Sequence, residues 1–245
     1  MIRLLITIIA VFIGALPAIG QSAGGPLNQV DAHGQKQGFW KKLDENGMLV
    51  YEGHFEDDIP VGEFVYYYPD GRTKARSVFS ENGKNAKTVT YHPSGKIMSE
   101  GNYKDQAKDS LWKYYDSEGI LLKEEFYKDK QKSGTWRTYY PEGQVAEEMQ
   151  WKDDQRNGSW TEFYPDGTTK CNGTFINDEK QGPVTFYFPS GKTRITGEYS
   201  GSFRTGDWYF MDDSSKVIKI EHYKDGKLVN EENFVPVEPS QDSIR

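Results

Sequence analysis

Residues 134–157 read GTWRTYYPEGQVAEEMQWKDDQRN, and the reading of this stretch decides the fold. A short aromatic-rich run, Trp136-Arg137-Thr138-Tyr139-Tyr140, ends in Pro141-Glu142-Gly143. Proline fixes φ and glycine accepts φ > 0, so the three residues form a turn with a mechanism behind it. A second strand-length run follows to Trp151, and the polar stretch Lys152-Asp153-Asp154-Gln155-Arg156-Asn157 closes the unit as a second turn. Nothing in it has the period or the length of a helix. The unit is a β-hairpin.

Outward from Gly134 the same unit recurs every 24 residues without insertion or deletion. A small marker residue stands at Gly38, Gly62, Ala86, Ser110, Gly134, Gly158, Gly182 and Gly206. With the marker as position 0, position +2 holds Trp40, Phe64, Thr88, Trp112, Trp136, Trp160, Val184 and Trp208. Position +17 is aromatic throughout: Phe55, Phe79, Tyr103, Tyr127, Trp151, Phe175, Tyr199 and Tyr223. A fixed period in this range marks a repeat array. The expected architecture is all-β: eight hairpins (38–61, 62–85, 86–109, 110–133, 134–157, 158–181, 182–205, 206–229) in one long, twisted antiparallel meander. End units depart from the pattern, with Leu43 in the first repeat and Met211 and Ser215 in the last, as capping repeats do.

A four-residue loop at positions +7 to +10 sets the register so that opposed positions sum to 17. Position +2 then faces +15, which is small at Gly53, Ser77, Gly101, Gly173 and Gly197, and +17 faces the marker. Large over small lets aromatic side chains share one face without overlap. Position +5 falls on the other face, placing Tyr67, Tyr91, Tyr115, Tyr139, Phe163 and Tyr187 in a stripe. Position +14 shares that side with Glu52, Glu100, Glu124 and Glu148. Successive repeats lie two strands apart, about 9–10 Å. Tyrosine suits strands and covers sheet faces without binding anything; the same stripe beside carboxylates is also the candidate partner-binding surface.

The pattern G-x-W-x-x-Y-Y-P-x-G, followed by an alternating strand and a closing aromatic-K-D-x-x-x-x-G, resembles the bacterial MORN-repeat variant, with Gly134 to Lys152 as the clearest copy. The resemblance runs from residue 38 to about residue 229. It implies an elongated, curved sheet of hairpins. Some bacterial members are named as antitoxins of polymorphic toxin systems, and eukaryotic MORN proteins serve as scaffolds and membrane-associated linkers. The resemblance therefore implies fold more narrowly than function.

The N-terminus departs from a cytoplasmic antitoxin. Arg3, the apolar run LLITIIAVFIGAL from Leu4 to Leu16, and Pro17-Ala18-Ile19-Gly20 are expected to form a signal peptide of residues 1–20 cleaved before Gln21, with an uncleaved anchor as the alternative. The run is short for a spanning helix, which needs about 20 residues. A polar lead-in of residues 21–37 and a C-terminal tail of residues 230–245 flank the array. The expected location is extracytoplasmic, periplasmic or secreted, with no integral span after cleavage.

Over 245 residues, 30 Lys+Arg stand against 37 Asp+Glu for a net charge of −7. That balance argues against nucleic-acid binding through phosphates, and no basic stripe suits anionic lipid. A hydrophobic fraction of 36% is thin for a globular core, but the 16 Tyr and 6 Trp gather at repeat positions and supply an aromatic one. The lone Cys171 excludes an internal disulfide. His33, His54, His92 and His222 are scattered, and the turn residues Asp57, Asp105, Asp129, Asp153 and Asp225 lie too far apart to converge on one ion. No P-loop, G-x-S-x-G or dinucleotide fingerprint is present, so no cofactor, metal or catalytic group is expected. The leading expectation is a non-enzymatic exported scaffold binding a protein or peptide, basic to suit the acidic face. Alternatives are a toxin-neutralising protein and an envelope or glycan-binding structural protein.

Overall fold

A computed structural model describes residues 26–234; the expected signal segment and the end of the expected tail lie outside them. Among the described residues there are twenty strands and no helix, and therefore no helix long and apolar enough to cross a membrane. Each strand pairs antiparallel with its neighbours in sequence, giving one open meander sheet. The short pieces Gln131–Lys132 and Glu179–Lys180 are the first halves of strands interrupted before their markers.

Within each hairpin the expected register holds at the base. Gly134 pairs with Trp151, Trp136 with Met149 and Thr138 with Glu147. Near the tip the register slips: Tyr139 pairs with Val145, leaving Ala146 as an extra residue. The expected four-residue loop is corrected to three, Pro141-Glu142-Gly143. Tyr140 N donates to Gln144 O at 2.8 Å and Gly143 N to Tyr140 O at 2.9 Å. Gly143 has φ 93°, the left-handed end that a three-residue loop requires.

The junctions between hairpins are tighter than the expected six-residue polar turn. Lys152 pairs with Gln155 around two residues, Asp153 (φ 51°) and Asp154 (φ 66°), and Gln155–Phe163 is already strand. Two left-handed residues in succession match the right-handed twist of the flanking strands. Asp57, Asp105, Asp129 and Asp225 occupy the same first turn position with φ between 47° and 51°. Beyond the turn a bulge intervenes, since Trp151 pairs with Arg156 but Met149 with Trp160. The marker sits in that bulge with φ > 0: Gly62 66°, Gly134 64°, Gly158 123°, Gly182 71°, Gly206 62°, and even Ser110 at 59°.

One junction differs. Where the marker is Ala86, Ser80 pairs with Asn85 across a four-residue loop, 81–84, and the ladder continues unbroken through Phe79–Ala86 and Ser77–Thr88. The same number of residues is spent in the loop instead of the bulge. Ala86 keeps an ordinary φ and is buried. The marker glycine is thus a bulge residue, and its loss moves the irregularity into the turn.

Hydrogen bonds at both rims hold repeat to repeat. On the junction side, Asp154 Oδ1 accepts from Lys132 N at 2.8 Å while Asp154 N donates to Lys132 O at 3.2 Å, and Asp178 and Arg156 repeat the exchange. At the hairpin tips, Tyr68, Tyr140 and Tyr164 donate to the carbonyls of Tyr91, Phe163 and Tyr187 in the next repeat at 2.7–2.8 Å. At the same position Asp44, Asp116 and Asp212 instead accept from backbone N–H groups of their own turns. The lead-in joins the sheet through Gln29–Val30, and the last strand, Lys227–Asn233, is exposed along its length.

Candidate partner-binding surfaces

The two faces of the sheet are built differently. On the aromatic face, Trp208 is fully buried although, among the described residues, no second layer of strands or helices covers it. Its ring lies flat on Gly197 of the preceding repeat, where a Cβ would overlap it, and Gly101 serves Trp112 and Gly53 serves Phe64 in the same way. Glycine in these strands is a matter of space. The close contact therefore crosses the junction, whereas the hairpin register pairs Trp208 with Glu221. Position +17 packs edge-on: Tyr199 meets Trp208 at 5.1 Å and 77°, and Tyr103 meets Trp112 at 4.9 Å and 73°. A cation lies over the outer face. Arg204 stands 4.2 Å from the Trp208 ring, Lys108 5.0 Å from Trp112, Lys132 4.8 Å from Trp136 and Lys180 4.5 Å from Trp160. These cations, with Lys36 and Arg156, stand two residues before their markers at the 24-residue period, which Pro60 interrupts. Sequence reasoning missed this row although its spacing was there to be read.

Two carboxylates are buried in the aromatic layer at +15. Glu125 accepts from Lys123 at 2.6 Å and Tyr127 at 2.9 Å; Glu221 accepts from Lys219 at 2.5 Å and from Tyr223 and Arg204 at 3.0 Å. Burial pushes Glu125 up, but these donors outweigh it and hold the carboxyl below its ordinary range. Burial, then Glu125, pushes the Tyr127 hydroxyl well above its usual value. Burial likewise pushes the Cys171 thiol up to about 12, which fits an inert strand side chain.

The aromatic layer opens at Trp136. Glu125 stands where Gly101 and Gly197 stand in sister repeats, so Trp136 has no glycine to lie on and packs instead on Trp151 of its own hairpin at 4.9 Å. Position +4 there is Thr138, while Tyr66 and Tyr114 fill it in other repeats. The result is a groove of about 270 Å³ walled by Trp136, Met149, Trp151 and Trp160. Glu147 lines it and pairs across strands with Glu162. Burial, then Glu162, raises the Glu147 carboxyl above the ordinary range. Glu162 has Lys170 at 2.9 Å, whereas Glu147 has no ion-pair partner among the described residues.

On the opposite face lie the residues expected to bind a partner, and they largely bind each other. Tyr67 donates to Glu52 at 2.6 Å, Tyr115 to Glu100 at 2.7 Å and Tyr139 to Glu124 at 2.8 Å, each reaching back to the preceding repeat. Lys41 pairs with Glu52 at 3.0 Å, Lys113 with Glu124 at 3.4 Å and Arg137 with Glu148 at 2.6 Å. Burial, followed by the carboxylate, raises Tyr67, Tyr115 and Tyr139 to about 12. Phe163 carries no hydroxyl for Glu148, Tyr187 accepts from Asn172 at 3.2 Å, and Tyr91 faces Arg76.

The geometry is that of an open β-hairpin repeat array with an aromatic core layer on one face. Residues 84–105, 108–129, 132–153 and 156–177 match the MORN repeat variant. Each matched unit begins at a cation two residues before the marker (Lys84, Lys108, Lys132, Arg156), of which the last three lie over aromatic rings, and ends in the junction turn. The flanking repeats keep the same hairpin geometry. No curated protein matches the chain. Among solved structures, a mutant of S. aureus TarM in complex with fondaparinux, alpha-GlcNAc-glycerol and UDP shares 10% identity over 49% of this chain and 19% of that one, at a TM-score of 0.26. A porin-like protein from Bacteroides uniformis shares 12% identity over 78% of this chain and 91% of that one, at 0.21. Neither likeness carries an argument.

Proposed function

We propose that this chain is an exported, non-enzymatic scaffold that binds an extended protein or peptide segment across the aromatic face of its repeat sheet. One observation carries the reading: Glu147, in the groove of the fifth and sixth repeats, is a half-buried carboxylate with no counter-ion among the described residues. The other charged groups of the groove are engaged. Lys123 and Arg137 hold Glu125 and Glu148 at 2.6 Å, Arg156 holds Asp178 at 2.9 Å, and Lys180 lies on Trp160. A lysine or arginine of the partner would neutralise Glu147 while its stem lies against Trp136 and Trp151. Such recognition needs no reacting group. The leader of residues 1–20 supports export. Neutralising a toxin outside the cytoplasm is one form this binding could take.

Capture from the exported fraction of the source cell tests the reading. A partner retained by the wild type and by a Tyr115→Phe/Tyr139→Phe variant, but lost with Glu147→Gln/Trp136→Ser, supports it. A partner lost only with the tyrosine variant moves the site to the other face. If no protein distinguishes folded wild type from the groove variant, the scaffold does not bind through this groove.

A further inference from the structure

At one rung of the tyrosine face a cation stands where other repeats carry a carboxylate. Position +5 of a repeat lies beside position +14 of the repeat before it, and in three repeats the second residue accepts from the tyrosine hydroxyl. Glu52, Glu100 and Glu124 do so for Tyr67, Tyr115 and Tyr139. Beside Tyr91, position +14 is Arg76. A guanidinium only donates, so it cannot take the phenol proton. Arg76 turns instead to Glu63 at 2.7 Å, an ion pair with both side chains about half exposed (46% and 51%). Exposed pairs of this kind are weak and exchange readily.

These groups line a notch of about 350 Å³ between the tips of the second and third hairpins, formed by Arg72, Thr73, Arg76, Tyr91 and the Pro93-Ser94-Gly95 turn. Its outer wall is fixed: Arg72 Nε donates to Asp70 Oδ2 at 2.9 Å, and Arg72 also donates to the Pro93 carbonyl. Two guanidinium groups and a phenol therefore converge on a cavity whose lining contains no carboxylate. At Tyr67, Tyr115 and Tyr139 the chain furnishes that carboxylate from its own sequence.

We propose that the notch is a docking site for a carboxylate side chain of a partner protein, which takes the place that Glu52, Glu100 and Glu124 fill in the sister repeats. Arg76 would hold it in the planar, two-point geometry that suits a carboxylate, with the Tyr91 hydroxyl as a third donor. This site lies on the face opposite the Glu147 groove and stands independently of it. Its charge preference is the reverse, so the two are separable by experiment.

The full chain labelled with 3-fluorotyrosine provides the test, with the Tyr91 fluorine signal assigned through Tyr91→Phe and the Tyr115 signal through Tyr115→Phe. Triglutamate added at fixed ionic strength is expected to move the Tyr91 signal saturably while Tyr115 stays in place, and triglutamine is expected to move neither. Arg76→Glu installs the residue type that sister repeats carry, so the fold should survive while apparent affinity falls by about tenfold or more. Arg76→Gln gives the same loss without adding a charge beside Glu63. A Tyr91 signal that ignores triglutamate, or one that responds equally in both variants, overturns the proposal. So does inorganic phosphate acting at lower concentration than triglutamate, because the site would then select another anion.

Discussion

The aromatic and tyrosine faces share every strand, yet they obey different physics. On the first, Trp208 and Trp112 are held by shape, each ring pressed on a glycine, flanked by edge-on rings and roofed by a cation. On the second, Tyr67, Tyr115 and Tyr139 are held by single hydrogen bonds to carboxylates, two of which, Glu52 and Glu124, also meet cations. Close packing tolerates little change of volume, while a surface hydrogen bond is a modest net term whose partner can be replaced. The face that stabilises the array is therefore constrained except where it opens at Trp136. The face that looked like a recognition stripe is closed on itself at Tyr67, Tyr115 and Tyr139, and at Tyr91 a guanidinium stands where those three meet a carboxylate.

Breaking the first face should produce the largest effect. Gly197→Val puts a β-branched side chain into a strand with an ordinary φ, a change that strand propensity alone would favour. Because the new Cβ would overlap the Trp208 ring, unfolding free energy should fall by about 3 kcal/mol, measured as a drop in urea midpoint. A loss below about 1 kcal/mol would mean that the ring is not seated on this glycine. Breaking one rung of the second face should cost less. Tyr115→Phe removes the bond to Glu100 and keeps the ring, for an expected loss of about 1 kcal/mol. Equal losses at the two positions would erase the distinction between the faces.

The marker position sharpens the contrast within the aromatic face, because one substitution should act with opposite signs at two equivalent sites. Ala86 lies buried in an unbroken ladder, so Ala86→Gly loses a methyl contact and gains chain entropy in the unfolded state, costing about 1 kcal/mol. Ser110 sits in a bulge at φ 59°, so Ser110→Gly relieves left-handed strain and should raise stability by about 0.5 kcal/mol. Thermal unfolding of the two variants reads both signs. A common sign would break the link between the marker glycine and the bulge.

The hairpins, their eightfold recurrence, the base register and the division into two faces were all legible, because a two-residue side-chain alternation repeated at a fixed period leaves few alternatives. The slips were not. Placing the extra residue at Ala146 or in the bulge at Gly158 depends on φ > 0, which the sequence signals only as a glycine or a turn residue. The +15 glycines were read as small partners within a hairpin, whereas Gly53, Gly101 and Gly197 each lie under the ring of the next repeat; contacts across junctions need the bulge before they can be located. Tyrosines and glutamates were placed on one face, but their mutual bonds reach between repeats, a separation that a one-hairpin reading does not span. The groove at Trp136 was invisible because it arises from two ordinary departures, Glu125 and Thr138, falling side by side.

The smallest effect concerns protonation of the tyrosine face. Tyr67, Tyr115 and Tyr139 have folded-state values raised to about 12 by burial and by the neighbouring carboxylate, against an ordinary value of 10.0. A group whose value is raised on folding contributes stability that is complete below the unfolded value and is lost as pH climbs through the folded one. These rungs should therefore weaken between about pH 10 and pH 12, with no change around neutrality. Absorbance titration near 295 nm should show a late-ionising class of tyrosines, and Glu52→Gln/Glu100→Gln/Glu124→Gln should move part of that class earlier. Burial remains in that triple variant, so the shift should be partial. A complete return to the ordinary value would assign the effect to the carboxylates alone. No movement at all would mean that burial holds these hydroxyls without help from the carboxylates, and that this face resembles its partner more than its hydrogen bonds suggest.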